Sequence, residues 1–257
     1  MLETLTATLR AFYRAEVPAA PGGRVLELDG VTAFLTPGAP TQSIVNCVVF
    51  DRHDALRAAL PRLADAYAAA AISHWMVWTL PGDEQGPRLL EAAGHMREYE
   101  PMAMALALDE LAPEPELSER AGAAELTIDR DPHPVEITTL NERANGELPG
   151  AFGTAFAGLR KRCFHRYVAR VDGVAAACLV TFDHGANTMV QWVATDPAHQ
   201  RRGIAGRLLR AALLDARARG MRSSTLESSY EGERLYAGLG YRPLGRLGMW
   251  LWDGPLA

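Results

Sequence analysis

The ten residues Gln85-Gly-Pro-Arg-Leu-Leu-Glu-Ala-Ala-Gly94 align without gaps on Glu231-Gly-Glu-Arg-Leu-Tyr-Ala-Gly-Leu-Gly240, 146 positions later, and Gly86/Gly232, Arg88/Arg234, Leu89/Leu235 and Gly94/Gly240 coincide. A repeat at that spacing in a chain of 257 residues points to two copies of one fold. The first copy shows a matching order of elements: a strand near Ser43–Phe50, a helix near Ala55–Ala70, a strand near Trp75–Leu80 and a strand over Met102–Leu108. Between the copies, Asp109 to Ala124 reads DELAPEPELSERAGAA, with two prolines, five acidic residues and few large apolar side chains. This composition suits a connector, placed at 113–124, which leaves domains at 1–112 and 125–257.

The second copy has the cleaner pattern. Cys163–Val171 and Val174–Phe182 are rich in Val and Ala and meet at Asp172-Gly173, a dipeptide that favours the positive φ angles of a tight hairpin. A further turn at His184–Asn187 leads into Thr188–Thr195, completing a three-strand antiparallel meander. From Gly203 to Arg219 the period becomes helical, with Ala205, Leu208, Leu209, Ala212, Leu213 and Ala216 on one stripe, and Gly220 provides a stop. A strand at Arg222–Glu227, a helix at Glu231–Gly238 and apolar stretches running to Trp252 follow, while Glu125–Ile128 and Pro134–Arg143 supply a first strand and helix. The fold class is α/β (α+β): two domains, each a mixed, mainly antiparallel sheet flanked by helices.

The stretch that carries chemistry is Thr195-Asp-Pro-Ala-His-Gln-Arg-Arg-Gly-Ile-Ala-Gly206, which joins a strand to the start of the long helix. Unpartnered N–H groups in the first turn of such a helix seat phosphate oxygens. Gly203, Ala205 and Gly206 are small where a ligand must approach the main chain, and Arg201 and Arg202 add charge. Other phosphate loops fit poorly: no GxxxxGK[ST] occurs, and no GxGxxG follows a strand. HExxH and GxSxG are likewise missing. The three cysteines, Cys47, Cys163 and Cys178, lack CxxC spacing and read as reduced core thiols, so no metal site is expected. A net charge of −5 gives no global support for nucleic-acid binding. The N-terminus has neither the basic nor the apolar region of a signal peptide, and Ala66–Leu80 is too short to span a membrane, so a cytoplasmic location is expected.

The surviving motif, Q-x-x-G-x-A at Gln200, Gly203 and Ala205, resembles the acetyl-coenzyme A loop of the GNAT superfamily of N-acetyltransferases. The resemblance gains weight from the strand before the motif, the Asp196-Pro197 turn, the helix after it, and Leu-Tyr-x-x-x-Gly-Tyr at Leu235–Tyr241. It implies a tandem arrangement of two GNAT-like domains, with acetyl-CoA as co-substrate and a small-molecule or peptide amine as acceptor. Carried over residue by residue, it has Val193, Ala194 and Thr195 offer backbone groups to the pantetheine amides. Arg201, Arg202, Gly203, Ile204, Ala205 and Gly206 hold the pyrophosphate, and Gln200 opens the motif. Tyr236 falls where the family has a tyrosine near the coenzyme sulfur. Ser229 stands where many members have Asn and also reads as a helix cap.

Direct transfer needs a base, because an unperturbed amine of pKa about 10.4 is almost wholly protonated at neutral pH. The strand Thr188–Thr195 offers Gln191 but no carboxylate, which leaves Glu227, Glu147 and His165 as candidates. Pro149–Phe156, with two glycines and two phenylalanines, reads either as an acceptor-site lid or as an inert loop. The first copy lacks the loop: opposite Gln200–Ala205 it has Asp54-Ala-Leu-Arg-Ala-Ala59, and Leu90 stands opposite Tyr236. The alternative to an enzyme is a catalytically inactive acyl-CoA-binding or ligand-sensing protein. Acceptor identity and oligomeric state are left open by the sequence.

Overall fold

A computed structural model of the chain describes residues 1–113 and 125–252. The expected connector, 113–124, therefore lies outside the described residues from position 114 on. In chain order the elements are α1 (Leu2–Glu16), β1 (Arg24–Leu28), β2 (Val31–Leu35), β3 (Cys47–Phe50), α2 (His53–Ala69), β4 (Trp75–Thr79), α3 (Gln85–Ala92), β5 (Met96–Tyr99) and β6 (Met102–Ala107). They continue with β7 (Leu126–Asp129), α4 (Pro134–Asn145), β8 (Phe164–Val171), β9 (Val174–His184), β10 (Asn187–Thr195), α5 (Ile204–Ala218), β11 (Ser223–Ser228), α6 (Glu233–Leu239), β12 (Arg242–Arg246) and β13 (Gly248–Trp252). The class is the expected mixed α/β, with two mainly antiparallel sheets flanked by helices.

One sheet runs β12-β6-β11-β10-β9-β8-β7. Its β8–β9 hairpin turns at Asp172-Gly173, both with positive φ (49° and 80°), as the dipeptide predicts. α5 buries Ile204, Leu208, Leu209, Ala212, Leu213 and Ala216; Ile204 takes the core position that the periodicity assigns to Ala205. β10 pairs in parallel with β11 only over Asn187–Met189 and then bulges at Gln191–Ala194, where Trp192 has φ 55°. The Trp192 carbonyl, turned out of the ladder, accepts a hydrogen bond from Asn141 Nδ2 of α4 at 3.2 Å. Beyond Met189 the β11-facing edge of β10 thus has no ladder partner in β11.

The other sheet runs β1-β2-β3-β4-β13-β5. α2 lays Leu56, Leu63 and Tyr67 into its core, where Tyr67 stacks on Trp75 at 4.6 Å and donates to the carbonyls of Phe34 and Cys47. α1 and the β1–β2 hairpin were not among the expected elements, and Ser43–Val45 forms a 3-10 turn ahead of β3. Cys47 and Cys178 are buried thiols as expected, whereas Cys163 is half-buried.

The repeat offset carries Met96 onto Arg242 and Met102 onto Gly248, the first residues of β5 and β12 and of β6 and β13. The equivalent strands β6 and β13 have changed places: β13 lies between β4 and β5, and β6 between β11 and β12. The compact units do not follow the contiguous stretches 1–112 and 125–257, since each draws on both. One unit comprises Met1–Thr8, Met104–Gly150 and Leu159–Pro243, the other Leu9–Ala103, Ala151–Gly158 and Leu244–Ala257. Sequence pattern marks a stretch as a strand without specifying which sheet's open edge takes its backbone hydrogen bonds.

Candidate active site

Between β10 and α5, residues 196–203 are tied down by their own polar groups. Asp196 accepts the Ala198 N–H at 3.0 Å and pairs with Arg143 at 3.3 Å, while Gln200 Nε2 reaches back to the Thr195 carbonyl at 3.4 Å. Arg201 (φ 59°) and Gly203 (φ 74°) turn the chain into the helix. Gly203 is the N-cap and no side chain caps α5, whose first intrahelical bond runs from Arg207 N to Gly203 O. The amides of Ile204, Ala205 and Gly206 precede it and have no acceptor within the helix. A Cβ at Gly203 would have no heavy atom within 4 Å, so the mouth of the helix is open to a ligand. Arg201, Arg202 and Gly203 are exposed, and Ala205 and Gly206 partly so. Ile204, 5% exposed, points into the core and offers only its amide.

Further in, the parallel register that sets Asn187 opposite Ser223 also sets Gln191 toward Glu227. Gln191 Nε2 donates to Glu227 Oε2 at 2.5 Å, whereas Glu227 Oε1 is out of solvent contact and has no hydrogen-bond partner. Burial pushes the Glu227 carboxyl up to about 7, against the opposing pull of the Gln191 hydrogen bond. The Tyr236 phenol, on a residue 7% exposed, is held well above its usual value, first by burial and then by the negative charge of Glu227. Its ring packs edge-on against Tyr241 at 5.7 Å, and the Tyr241 hydroxyl shares a 2.6 Å hydrogen bond with Ser224 Oγ. Gly232 makes room for that ring, since a Cβ there would come within 2.9 Å of Tyr236 Cε2.

A family model described as an acetyltransferase (GNAT) domain matches residues 162–243, which run from just before β8 to the start of β12 and contain the turn into α5, Gln191, Glu227 and Tyr236. Residues 162–243 thus resemble a GNAT acetyltransferase domain. Among solved structures, a GCN5-related N-acetyltransferase from Kribbella flavida is similar over 98% of this chain and 96% of its own, at TM-score 0.68 and 18% identity. A GCN5-related N-acetyltransferase from Sphaerobacter thermophilus matches over 86% of this chain and 76% of its own, with TM-score 0.59 and 18% identity. A tandem GNAT protein from the clavulanic acid biosynthesis pathway matches over 88% and 79%, with TM-score 0.56 and 17% identity. At these identities the likeness is one of fold. No curated protein matches the chain in sequence.

Within the GNAT domain, Val193, Ala194 and Thr195 lie on the part of β10 past the bulge, with Ala194 paired back to Cys178 of β9. Ser229 accepts the Gly232 N–H at 3.2 Å, so its hydroxyl is committed to the turn that leads into α6. Of the three candidate bases, only Glu227 lies with Gln191. His165 pairs across the sheet with Thr181, which in turn pairs with Val190, so all three share the face opposite to Gln191. There His165 is held by Asp183 at 3.1 Å, which Arg219 also binds at 2.7 Å. Glu147 is exposed in the turn after α4. In the stretch read as either a lid or an inert loop, Phe152 and Phe156 stack at 5.1 Å, both buried, in a segment that belongs to the compact unit built mainly from the first repeat. In that unit only Asp51 and Arg52 separate β3 from α2, with no glycine at the helix start. Among the described residues no group of three or more His, Cys, Asp or Glu is placed to hold a metal ion, and no helix is long and apolar enough to cross a membrane. Sequence reading missed the Gln191–Glu227 pair, whose signal is only the shared register of two strands separated by α5.

Proposed function

We propose that the GNAT domain transfers an acetyl group from acetyl-CoA to the amine of a small-molecule or peptide acceptor by direct attack on the thioester. The observation that carries this reading is the uncapped start of α5, open around Gly203, in the same domain as a buried carboxylate with one unpartnered oxygen and a buried phenol. The residues fit the coenzyme. The amides of Ile204, Ala205 and Gly206 with the side chains of Arg201 and Arg202 would hold its diphosphate, and the free edge of β10 at Val193–Thr195 its pantetheine amides. The bound coenzyme supplies an activated acyl group and a thiolate leaving group.

Glu227 is assigned as the base. Its Oε1 has a vacant acceptor position, and a pKa of about 7 lets it take a proton from an ammonium and release it to water at neutral pH. Gln191 fixes the carboxylate through Oε2 and leaves Oε1 free to work. Tyr236 is assigned as the donor to the leaving sulfur. Its raised pKa keeps the hydroxyl protonated throughout the neutral range. When Glu227 accepts a proton, the charge that helps hold the phenol up disappears, so the Tyr236 proton becomes easier to give as the thiolate forms. Gln200 and Ser229 take positioning roles, since both side chains are bound to the backbone of their own turns.

The test is thiol release from acetyl-CoA across a panel of amines. The wild-type chain should turn over at least one acceptor, and Tyr236→Phe should lower kcat by about 10- to 100-fold while coenzyme binding persists. Tight coenzyme binding with no turnover on any amine would instead mark a sensor.

A further inference from the structure

Two residues of β10, Trp192 and Val193, stand opposite the single Leu179 of β9, because Gln191 pairs with Val180 and Ala194 with Cys178. The extra residue is absorbed at Trp192, whose φ of 55° strains a bulky side chain unless its surroundings hold it there. What holds it lies on α4. Asn141 Nδ2 donates to the Trp192 carbonyl at 3.2 Å and to the Ile137 carbonyl of its own helix at 2.9 Å, and the Cys178 thiol lies 3.5 Å from the same Trp192 oxygen. Asn141 is 3% exposed, on a helix that otherwise buries Ile137 and Leu140. Asparagine inside a helix competes for backbone groups, and burying its amide costs more than burying an apolar side chain. The carbonyl that it satisfies accounts for its presence there.

The bulge decides which backbone groups of β10 face away from β9. The Asp196 N–H bonds to the Ala176 carbonyl at 2.9 Å. By strand alternation Ala194 also faces β9, so Val193 and Thr195 turn their N–H and C=O groups toward the open edge. If Trp192 relaxed into extended geometry, the bulge would be lost, and a one-residue slip would leave Ala194 facing out in place of Val193 and Thr195. We infer that Asn141 is a positioning residue for the coenzyme's pantetheine arm: by holding the Trp192 carbonyl it keeps Val193 and Thr195 turned to the open edge. The inference rests on the acetyl-CoA reading above and adds to it a side chain buried behind the strand.

Calorimetry on the full chain with coenzyme A and with 3′-phosphoadenosine 5′-diphosphate, the same molecule without its pantetheine arm, tests it. Wild-type protein should bind coenzyme A about 10- to 100-fold more tightly, the range for two backbone hydrogen bonds. Asn141→Leu, of similar volume but with no donor, should cut that advantage about tenfold and leave affinity for the armless nucleotide within about twofold of wild type. A general loss of folding would weaken both ligands alike, so the ratio separates positioning from stability. Asn141→Ser, too short to reach the carbonyl, should act the same way and carries the test if the leucine variant does not fold. Glycine adopts φ 55° without strain, so in a Trp192→Gly background Asn141→Leu should change the ratio less than about threefold. Equal wild-type affinities, a ratio that survives Asn141→Leu, or a ratio that falls equally in both backgrounds would overturn the assignment and leave the acetyl-CoA reading standing. Failure of the wild type to bind either ligand would overturn the two together.

Discussion

Glu227 has one carboxylate oxygen bound to Gln191 and the other buried without a partner, and this imbalance gives it a pH signature. With a pKa of about 7, the side chain is protonated and useless as a base in mild acid and becomes competent as pH rises. The rate of acetyl transfer should therefore climb through pH 7 in the wild type. Glu227→Gln should flatten that limb and lower kcat by about 10²–10⁴-fold, measured as thiol release between pH 5.5 and 8.5. Its effect on stability has the opposite sense. A carboxyl whose folded pKa lies above its free value stabilises the fold while it holds its proton and loses that contribution as pH rises through 7, so Glu227→Gln should raise Tm more at pH 8 than at pH 5. His95 behaves differently. It is buried against Trp75 and Trp252, and burial lowers its pKa to about 4 against the opposing pull of the Leu90 backbone. The unfolded chain binds a proton near pH 6.5 that the folded chain refuses until about pH 4, so stability falls as pH drops across that window. Because Glu227 works in the opposite direction over the same window, the His95 share is read by difference: in urea unfolding, His95→Leu should gain about 2 kcal/mol on the wild type between pH 7 and 5.

At the level of elements, the junction of β10 with α5 concentrates the unusual backbone. Gly203 sits at φ 74° in open space, so an alanine there meets no clash but adopts a conformation costing roughly 1–2 kcal/mol. Gly203→Ala should weaken coenzyme affinity by about tenfold by calorimetry with only a small change in Tm, because the α5 core stripe is untouched. Much of this scale was legible in the sequence. The α5 stripe, the Asp172-Gly173 turn and the Gly220 stop all obey local rules, and the loop motif fell where the structure has its uncapped helix start. The same rules were available for elements left unassigned: Asp29-Gly30 turns the β1–β2 hairpin, and Leu5, Leu9, Phe12 and Tyr13 form a helical stripe on α1. Reading the N-terminus only for targeting signals passes over that stripe. The Gln191–Glu227 contact was hidden because it depends on pairing between strands that lie 36 positions apart, which no local pattern encodes.

For the whole molecule, the decisive feature is the exchange of β6 and β13. Each repeat encodes a strand that its own sheet does not use, between β11 and β12 in one case and between β4 and β5 in the other. The residues of β13 reveal how much depends on it: Trp250 donates to Thr79 Oγ1 at 3.1 Å, and Trp252 packs on His95. Residues 1–112 or 125–257 produced alone should lack a cooperative thermal transition, while the two produced together should recover one, as followed by circular dichroism. A sharp transition in either fragment by itself would contradict the exchange. Strand patterning in the two repeats was legible, but the partner of each last strand was not, since an open sheet edge accepts any strand of suitable pattern.

The crossing also bears on what each repeat can do without the other. A lone repeat with this wiring could fill its sheet only by exchanging a strand with a second copy, and in this chain the exchange is internal. Loss of the repeat without the glycine loop would cost the other repeat's sheet β6, the strand that joins β12 to β11.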